Sequence, residues 1–142
     1  MLGSCVSITL WHQRLHVGAM CHFLLASRPL GASGRLDARY AEDAIVLMLR
    51  GLQRYGAQRD EYQAKLFGGG NMFPHSGRDG EARVGERNGL AARRLIQERA
   101  IPIVSESLFG CGHRRIVFDL ASGAVWSRQV EPVDVSEQGG AR

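Results

Sequence analysis

Hydrophobic and polar positions along the first part of the chain predict two paired β-strands. Residues 6–11 alternate and are rich in β-branched side chains, which favours a strand. The short polar stretch 12–14 predicts a hairpin turn. Residues 15–25 predict a second strand, in which Gly18 and Ala19 keep one face small. We therefore expect the two strands to form an antiparallel pair.

The next part of the chain shows a helical period. Residues 26–39 are rich in Ser, Pro and Gly and predict a loop. Between Arg39 and Tyr55 the apolar residues fall near one helical face, and Gly56 is placed to end the helix. These apolar residues are Ala41, Ile45, Met48 (or Leu49) and Leu52. The pattern predicts one amphipathic helix.

A strand, a loop and a second helix are expected next. Residues 61–67 predict a short strand, which ends at the glycines of 68–71. The polar stretch 73–83 predicts an exposed loop. Asn88 is expected to cap a helix over residues 89–99.

The last part of the chain predicts more strands. Residues 101–104 begin a strand, and residues 115–120 and 124–130 form a final pair around a glycine-containing turn. This mixture predicts an α+β or mixed-sheet α/β fold. We expect one domain over residues 1–130, followed by a polar C-terminal tail over 131–142.

Composition and charge narrow the function classes. The 142 residues carry 18 Lys+Arg against 14 Asp+Glu, and the basic residues are scattered Arg, which favours a solvated face over nucleic-acid binding. Three cysteines without close spacing favour a reducing, cytoplasmic compartment. Without a long apolar run or a secretory signal, we expect no membrane insertion.

Cys5 and His22 are candidates for nucleophilic catalysis. Cys5 follows Gly3 and Ser4 at a strand start, where exposed backbone amides or a nearby base can activate a thiol. If the second strand returns antiparallel, His22 comes back towards Cys5 with a mismatch of about two residues, or about 7 Å. The alternatives are a cysteine that fills space and a histidine satisfied in the core.

Two further groups of residues have side chains or backbone that could bind a ligand or a metal ion. Gly68 to Asn71 allow close backbone approach to a ligand or another loop, although a strained turn explains them equally well. A metal site is not expected, because His12 and His16 on one strand would lie about 13 Å apart. The full set of potential ligands is His12, His16, Cys21, His22, Cys111 and His113.

Several motifs, in order, resemble the chemoreceptor glutamine deamidase family, CheD. They are LGSCV at 2–6, GAMCHFLL at 18–25, RYAEDA at 39–44, AKLFGGGNMF at 64–73, VGERN at 84–88, RRIVFD at 114–119 and SG at 122–123. The resemblance covers residues 2–130 and implies a layered α/β sandwich like that of deamidating toxins. It also favours Cys5 and His22 as functional residues over their structural alternatives.

The resemblance implies hydrolysis of glutamine side chains on methyl-accepting chemotaxis receptors, through a cysteine thioester and without a cofactor. Cys5 would be the nucleophile, held as a thiolate by His22, which also acts as general base and acid. Backbone amides near Ser4 and Cys5 would stabilise the oxyanion, each donor contributing about 3–4 kcal/mol. Gly69, Gly70 and Asn71 would shape the substrate cleft. A CheC-type phosphatase is a further expected partner.

The sequence also departs from the family pattern. Family members carry a Thr or Ser a few residues before the cysteine, and that position would precede Met1, as would one or two N-terminal strands. We therefore expect an N-terminally truncated domain. Two alternatives follow: a catalytically inert module that binds receptors or a CheC-type phosphatase, and a cysteine amidase that acts on another protein.

Overall fold

The computed structural model describes residues 2–72 and 79–130. Within this part of the chain lie six strands, two α-helices and the short 3-10 helices Gln53–Tyr55 and Arg59–Glu61. The strands and α-helices are β1 (Val6–His12), β2 (Val17–Phe23), α1 (Ala41–Leu52), β3 (Tyr62–Gly68), α2 (Asp79–Glu98), β4 (Ile103–Leu108), β5 (His113–Phe118) and β6 (Val125–Val130).

The strands form one four-stranded sheet and one hairpin. The sheet has the order β2-β1-β3-β4, in which β1 is antiparallel to both neighbours and β4 is parallel to β3. Strands β5 and β6 form a separate antiparallel pair. This mixture of parallel and antiparallel pairing with two helices confirms the predicted mixed α/β class.

All seven residues of β1 are buried, because the strand is covered on both faces. Val6, Ile8 and Leu10 point into a hydrophobic core shared with both helices. Successive side chains of a strand alternate between faces. Trp11, on the opposite face, donates from Nε1 to the carbonyl of Leu120 at 2.8 Å, just beyond β5. The molecule is therefore layered as helices, sheet and hairpin.

The two helices supply one wall of the core. Ala41, Ile45 and Met48 on α1 are buried, as predicted, and Gly56 follows in the left-handed conformation (φ 71°) expected at a helix end. Leu95 and Ile96 on α2 are also buried. Burial of each such Leu, Ile or Met side chain contributes about 1.5–3 kcal/mol to folding. Neither helix is long and apolar enough to cross a bilayer within the described residues.

The predicted position of the first turn was wrong. The strands pair His12 with Val17, so the turn comprises residues 13–16 and His12 is the buried last residue of β1. His16 adopts a left-handed backbone (φ 54°), and its N–H donates to the His12 carbonyl at 2.9 Å. The His12 ring accepts a further hydrogen bond from the Leu15 N–H at 3.1 Å. His12, which was expected to be part of the turn, therefore caps it from the end of β1.

The predicted start of α2 was also wrong. The helix begins at Asp79, so residues 79–83 are helical, and Asn88 lies inside the helix rather than at its cap. The glycines of this segment lower its intrinsic helix propensity and hide the period. The remainder of the predicted loop, at 73–78, and the predicted tail, at 131–142, lie outside the described residues.

Glycines allow α2 to approach the loop after β3 closely. A Cβ atom on Gly85 would lie 2.5 Å from the Gly70 carbonyl oxygen, and a Cβ on Gly69 would lie 2.7 Å from the Gly85 oxygen. Backbone atoms at these distances cannot move aside independently, because both belong to packed elements. The position of α2 over the sheet thus depends on these residues lacking side chains.

Replacement of Gly85 tests this contact. Gly85→Ala should lower the free energy of unfolding by about 1–3 kcal/mol, because the added methyl group forces the helix from the loop. Gly51→Ala is the matched control in α1. A Cβ there meets nothing within 4 Å, and the helix propensity of alanine should raise stability by up to about 1 kcal/mol. Urea unfolding measures both, and equal stabilisation by the two substitutions would contradict the packing account.

Candidate active site

The segment that precedes β1, residues 2–5, carries Cys5 and is referred to below as the nucleophile loop. It is bound to the glycines that follow β3. The N–H of Gly69 donates to the Cys5 carbonyl, and the N–H of Gly70 donates to the Gly3 carbonyl, both at 2.9 Å. The close approach predicted for these glycines therefore exists, and the partner is the backbone around Cys5.

A buried arginine links the same loop to the hairpin. Arg114 exchanges two backbone hydrogen bonds with Leu2, each 2.7 Å long. Its guanidinium donates to the carbonyls of Gly68 and Phe109 and to the Ser107 hydroxyl. Arg114 is only 2% exposed, so this network lies away from competing water. The result is a nucleophile loop tied to both β3 and β5.

Three of the four backbone N–H groups of the nucleophile loop are left without backbone partners among the described residues. The carbonyl oxygens of Leu2, Gly3 and Cys5 accept the hydrogen bonds described above. That of Ser4, the remaining residue of the loop, accepts one from Asn88 Nδ2 at 2.9 Å. Among the described residues, the N–H groups of Gly3, Ser4 and Cys5 donate to no backbone oxygen. Unpaired amides beside a thiol are the groups that stabilise an oxyanion in acyl-transfer reactions.

His22 lies on the same side of the sheet as Cys5. It is paired with Ser7 across β1 and β2, so the two side chains share one face. Continuing the alternation of β1 by one residue places Cys5 on this face as well. Cys5 and His22 are then diagonal neighbours, typically about 7–8 Å apart and within reach of long or aromatic side chains.

The sequence predicted this relation although it placed the turn wrongly. A turn centred near residue 12.5 puts Cys5 opposite position 20, whereas the observed register, continued from Val6 and Phe23, puts it opposite Leu24. In both cases His22 is two positions away. The two registers differ by an even number of residues, so the face that His22 occupies does not change.

The pair is not engaged in this structure. None of the hydrogen bonds formed by the described residues joins Cys5 to His22. Catalytic hydrogen bonds in free enzymes are often long and tighten only when substrate binds.

A cavity of about 350 Å³ lies over His22, between the sheet and the hairpin. It is lined by Leu2, Ser7, Met20, His22, Arg115, Ile116 and Val117. Met20 and Val117 are 54% and 61% exposed, so the cavity has an apolar rim open to solvent. A volume of this size suits a side chain or a short peptide segment.

The protonation states of the pair favour neutral partners in the free protein. Burial raises the pKa of the Cys5 thiol above its usual value, while hydrogen bonds from its own backbone and from the Ser4 side chain act in the opposite direction to a smaller extent. Burial lowers the pKa of His22, although the residue as a whole is exposed. The free protein thus favours thiol and imidazole over the expected thiolate.

The other two cysteines lie elsewhere. Cys21 points to the opposite face from His22 and packs against the core, where burial raises its pKa to about 12. Cys111 is exposed in the loop between β4 and β5. Cys21 therefore does not share the face of the sheet that carries the cavity over His22.

The predicted cleft residues line a different space. Gly69 and Asn71 border a cavity of about 290 Å³ together with Leu90 and Phe109, whereas Gly70 does not line it. Cys5 lines neither cavity. The role of Gly69, Gly70 and Asn71 in shaping a substrate cleft stays a prediction.

Sequence reasoning missed three residues of the site. Ser7 was missed as the partner of His22, and the network made by Arg114 has no local signature in the sequence. Asn88 did carry a signal. It precedes the buried residues Ala92 and Leu95 at helical spacing, and a polar residue on a buried stripe normally has hydrogen-bond partners.

Comparisons with known proteins show the family to which the chain is similar. The sequence model of CheD, described as CheD chemotactic sensory transduction, matches residues 24–129. A protein of Albidiferax ferrireducens named "Probable chemoreceptor glutamine deamidase CheD 2" is 58% identical over 136 residues, which cover 94% of this chain and 78% of that protein. A "Probable chemoreceptor glutamine deamidase CheD" of Pseudomonas syringae pv. syringae is 41% identical, with coverage of 97% and 77%. A third, from Dechloromonas aromatica, is 42% identical, with coverage of 89% and 74%.

The neutral pair predicts a slow thiol in the free protein. Alkylation proceeds through the thiolate, so a raised pKa should make Cys5 react more slowly at pH 7 than a free thiol of pKa about 8.5. The rate should then increase as the pH rises. Mass spectrometry of the Cys5 peptide after iodoacetamide pulses measures this, with Cys21→Ser and Cys111→Ser removing competing thiols. A rate that levels off below pH 7 would instead indicate a preformed thiolate–imidazolium pair.

Proposed function

Since the chain belongs to the CheD family, we propose that it is a chemoreceptor glutamine deamidase in which Cys5 is the nucleophile and His22 the general base and acid. The observation that carries the proposal is the register of β1 and β2. Continued by one residue, this register supports a diagonal arrangement of the Cys5 thiol and the His22 imidazole on one face of the sheet. The cavity over His22 supplies space for a substrate side chain beside the imidazole.

The first half of the reaction forms a thioester and releases ammonia. His22 takes the proton from the Cys5 thiol as the sulfur attacks the side-chain amide carbon of glutamine. The negative charge that develops on the amide oxygen is met by backbone N–H groups near Ser4 and Cys5. The imidazolium then gives its proton to the departing nitrogen, the C–N bond breaks, and ammonia leaves.

The second half hydrolyses the thioester. His22, now neutral, removes a proton from water, and the oxygen attacks the thioester carbon. Collapse of the tetrahedral intermediate breaks the C–S bond, and the proton held by His22 returns to the sulfur. The product is a glutamate side chain, and the neutral thiol and imidazole are restored.

The remaining cleft assignment is part of the proposal. Gly69 and Gly70 hold the nucleophile loop by hydrogen bonds to Cys5 and Gly3. We infer that with Asn71 they shape the cleft by fixing this loop, rather than by contacting the substrate through side chains of their own. This assignment is consistent with Gly70 lying outside both cavities.

Partners and location follow from the activity. The substrates would be the cytoplasmic helices of methyl-accepting chemotaxis receptors, so we propose a cytoplasmic protein. A CheC-type phosphatase as a second partner rests on the family resemblance. The exposed apolar side chains at the cavity rim, Met20 and Val117, offer a surface on which an amphipathic receptor helix can rest.

The proposal predicts deamidation of a receptor methylation-helix peptide. Ammonia release, together with the mass change from amide to acid, should be abolished by Cys5→Ala. His22→Ala should lower the rate by at least about 100-fold, since proton transfer in both steps is lost. The exposed thiol provides the matched control, because Cys111→Ala should leave the rate unchanged.

Two results would contradict the proposal. Full activity of Cys5→Ala would exclude the thioester mechanism. Equal rates with an unrelated helical glutamine peptide would indicate an amidase whose substrate is not a receptor.

A further inference from the structure

We propose that Asn88 is a positioning residue for the reaction, which links the two chain segments that carry Cys5 and His22. The inference rests on the proposed function for the identity of the reacting groups. Asn88 lies within α2, contacts neither reacting group through a hydrogen bond, and acts through the backbone beside each of them.

The contacts of Asn88 are specific. Its side chain is buried, with 1% of the residue exposed. Nδ2 donates to the Ser4 carbonyl at 2.9 Å and to the Leu24 carbonyl at 2.8 Å. Both partners are carbonyl oxygens, which only accept, so the atom between them must be the amide nitrogen with its two hydrogens. A single side-chain atom thus joins the nucleophile loop to the residue that follows β2.

The Asn88 link lies at the position where the hydrogen-bonded pairing of β1 and β2 ends. The last paired residues of β1 and β2 are Val6 and Phe23. At the next position Leu24 turns away, and its N–H donates to the Arg39 carbonyl at 2.8 Å. No ladder hydrogen bond therefore connects the nucleophile loop to the end of β2. The amide of Asn88 supplies that connection instead.

The two linked carbonyls belong to the neighbours of the reacting residues. Ser4 directly precedes Cys5, and Leu24 follows His22 by two residues. Without the link, the loop is still held to β3 and β5, but no hydrogen bond among the described residues fixes it relative to the end of β2. A displacement of about 1 Å between reacting groups can cost about 100-fold in rate. The link made by Asn88 therefore sets the distance between the Cys5 sulfur and the His22 ring, across which the proton passes.

A purely structural role is the competing explanation. Two buried carbonyl oxygens need donors in any fold, and loss of the donors destabilises the protein wherever they are. The two roles differ in what the folded protein does. A structural residue changes the folded fraction, whereas a positioning residue changes the turnover of the molecules that are folded.

Asn88→Asp separates these roles. The carboxylate is nearly isosteric but, when ionised, only accepts hydrogen bonds, so both links are lost. We expect kcat for the receptor peptide to fall by about 10- to 100-fold, with KM changed by less than about twofold. Ala92→Gly is the control: it destabilises the same helix one turn further along and contacts neither Ser4 nor Leu24. Its kcat, corrected for the folded fraction, should equal that of the unaltered protein.

A second readout does not depend on turnover. In Asn88→Asp the pH profile of Cys5 alkylation should shift, because the loop no longer holds the thiol in its half-buried place. Ala92→Gly should leave the profile unchanged. If the unaltered protein releases no ammonia, the proposed function fails, and the alkylation profiles alone decide whether Asn88 positions Cys5.

The inference is overturned if Asn88→Asp keeps its kcat and its alkylation profile. It is equally overturned if any loss matches that of Ala92→Gly at equal stability. Should Asn88→Asp not fold, Asn88→Ser retains one hydroxyl donor in less volume. For that variant a reduced kcat at unchanged KM supports positioning, and an unchanged kcat in the folded protein excludes it.

Discussion

The hydrogen bonds accepted by the carbonyl oxygens of the nucleophile loop determine where the Cys5 sulfur lies. Beyond the start of β1 the sheet ladder no longer holds the chain, so the position of Cys5 depends on other donors. Those donors come from the β3 glycine loop, β5 and α2. Each such bond contributes only about 0.5–1.5 kcal/mol to stability. Together they turn every carbonyl of the loop into the protein and leave three of its amides, those of Gly3, Ser4 and Cys5, without backbone partners among the described residues.

The glycines around this loop allow backbone contacts that a side chain would prevent. Gly68 has φ 112°, and a Cβ atom on it would lie 2.1 Å from the Cys5 carbonyl oxygen. The close approach of Gly85 to Gly69 and Gly70 has the same origin, since helix α2 must come close before Asn88 can reach the Ser4 carbonyl. The absence of side chains on one face of α2 is thus what places a side chain beside the nucleophile.

The local parts of the fold could be predicted from the sequence, and the long-range parts could not. Helix α1 was predicted closely because one-sided burial imposes a clear period on its residues, and β1, buried on both faces, was predicted from its β-branched side chains. The face shared by Cys5 and His22 survived a misplaced turn because an even shift preserves it. Asn88 joins residues 84 and 64 positions away in the chain. No spacing rule within one element reveals such contacts, and a capping role was the natural but wrong interpretation.

A neutral resting pair suits an enzyme that must act on one kind of glutamine and ignore other electrophiles. The neutral pair (thiol and imidazole) and the ion pair (thiolate and imidazolium) contain the same number of protons. They differ only in whether one proton is bound to the sulfur or to the ring nitrogen. In a half-buried site the ion pair must overcome desolvation of both charges. When a glutamine amide enters, the negative charge is instead transferred to an oxygen that the loop amides can stabilise. Until then the thiol has little thiolate character, which also slows its oxidation. In the proposed mechanism, reactivity thus depends on the substrate completing the site.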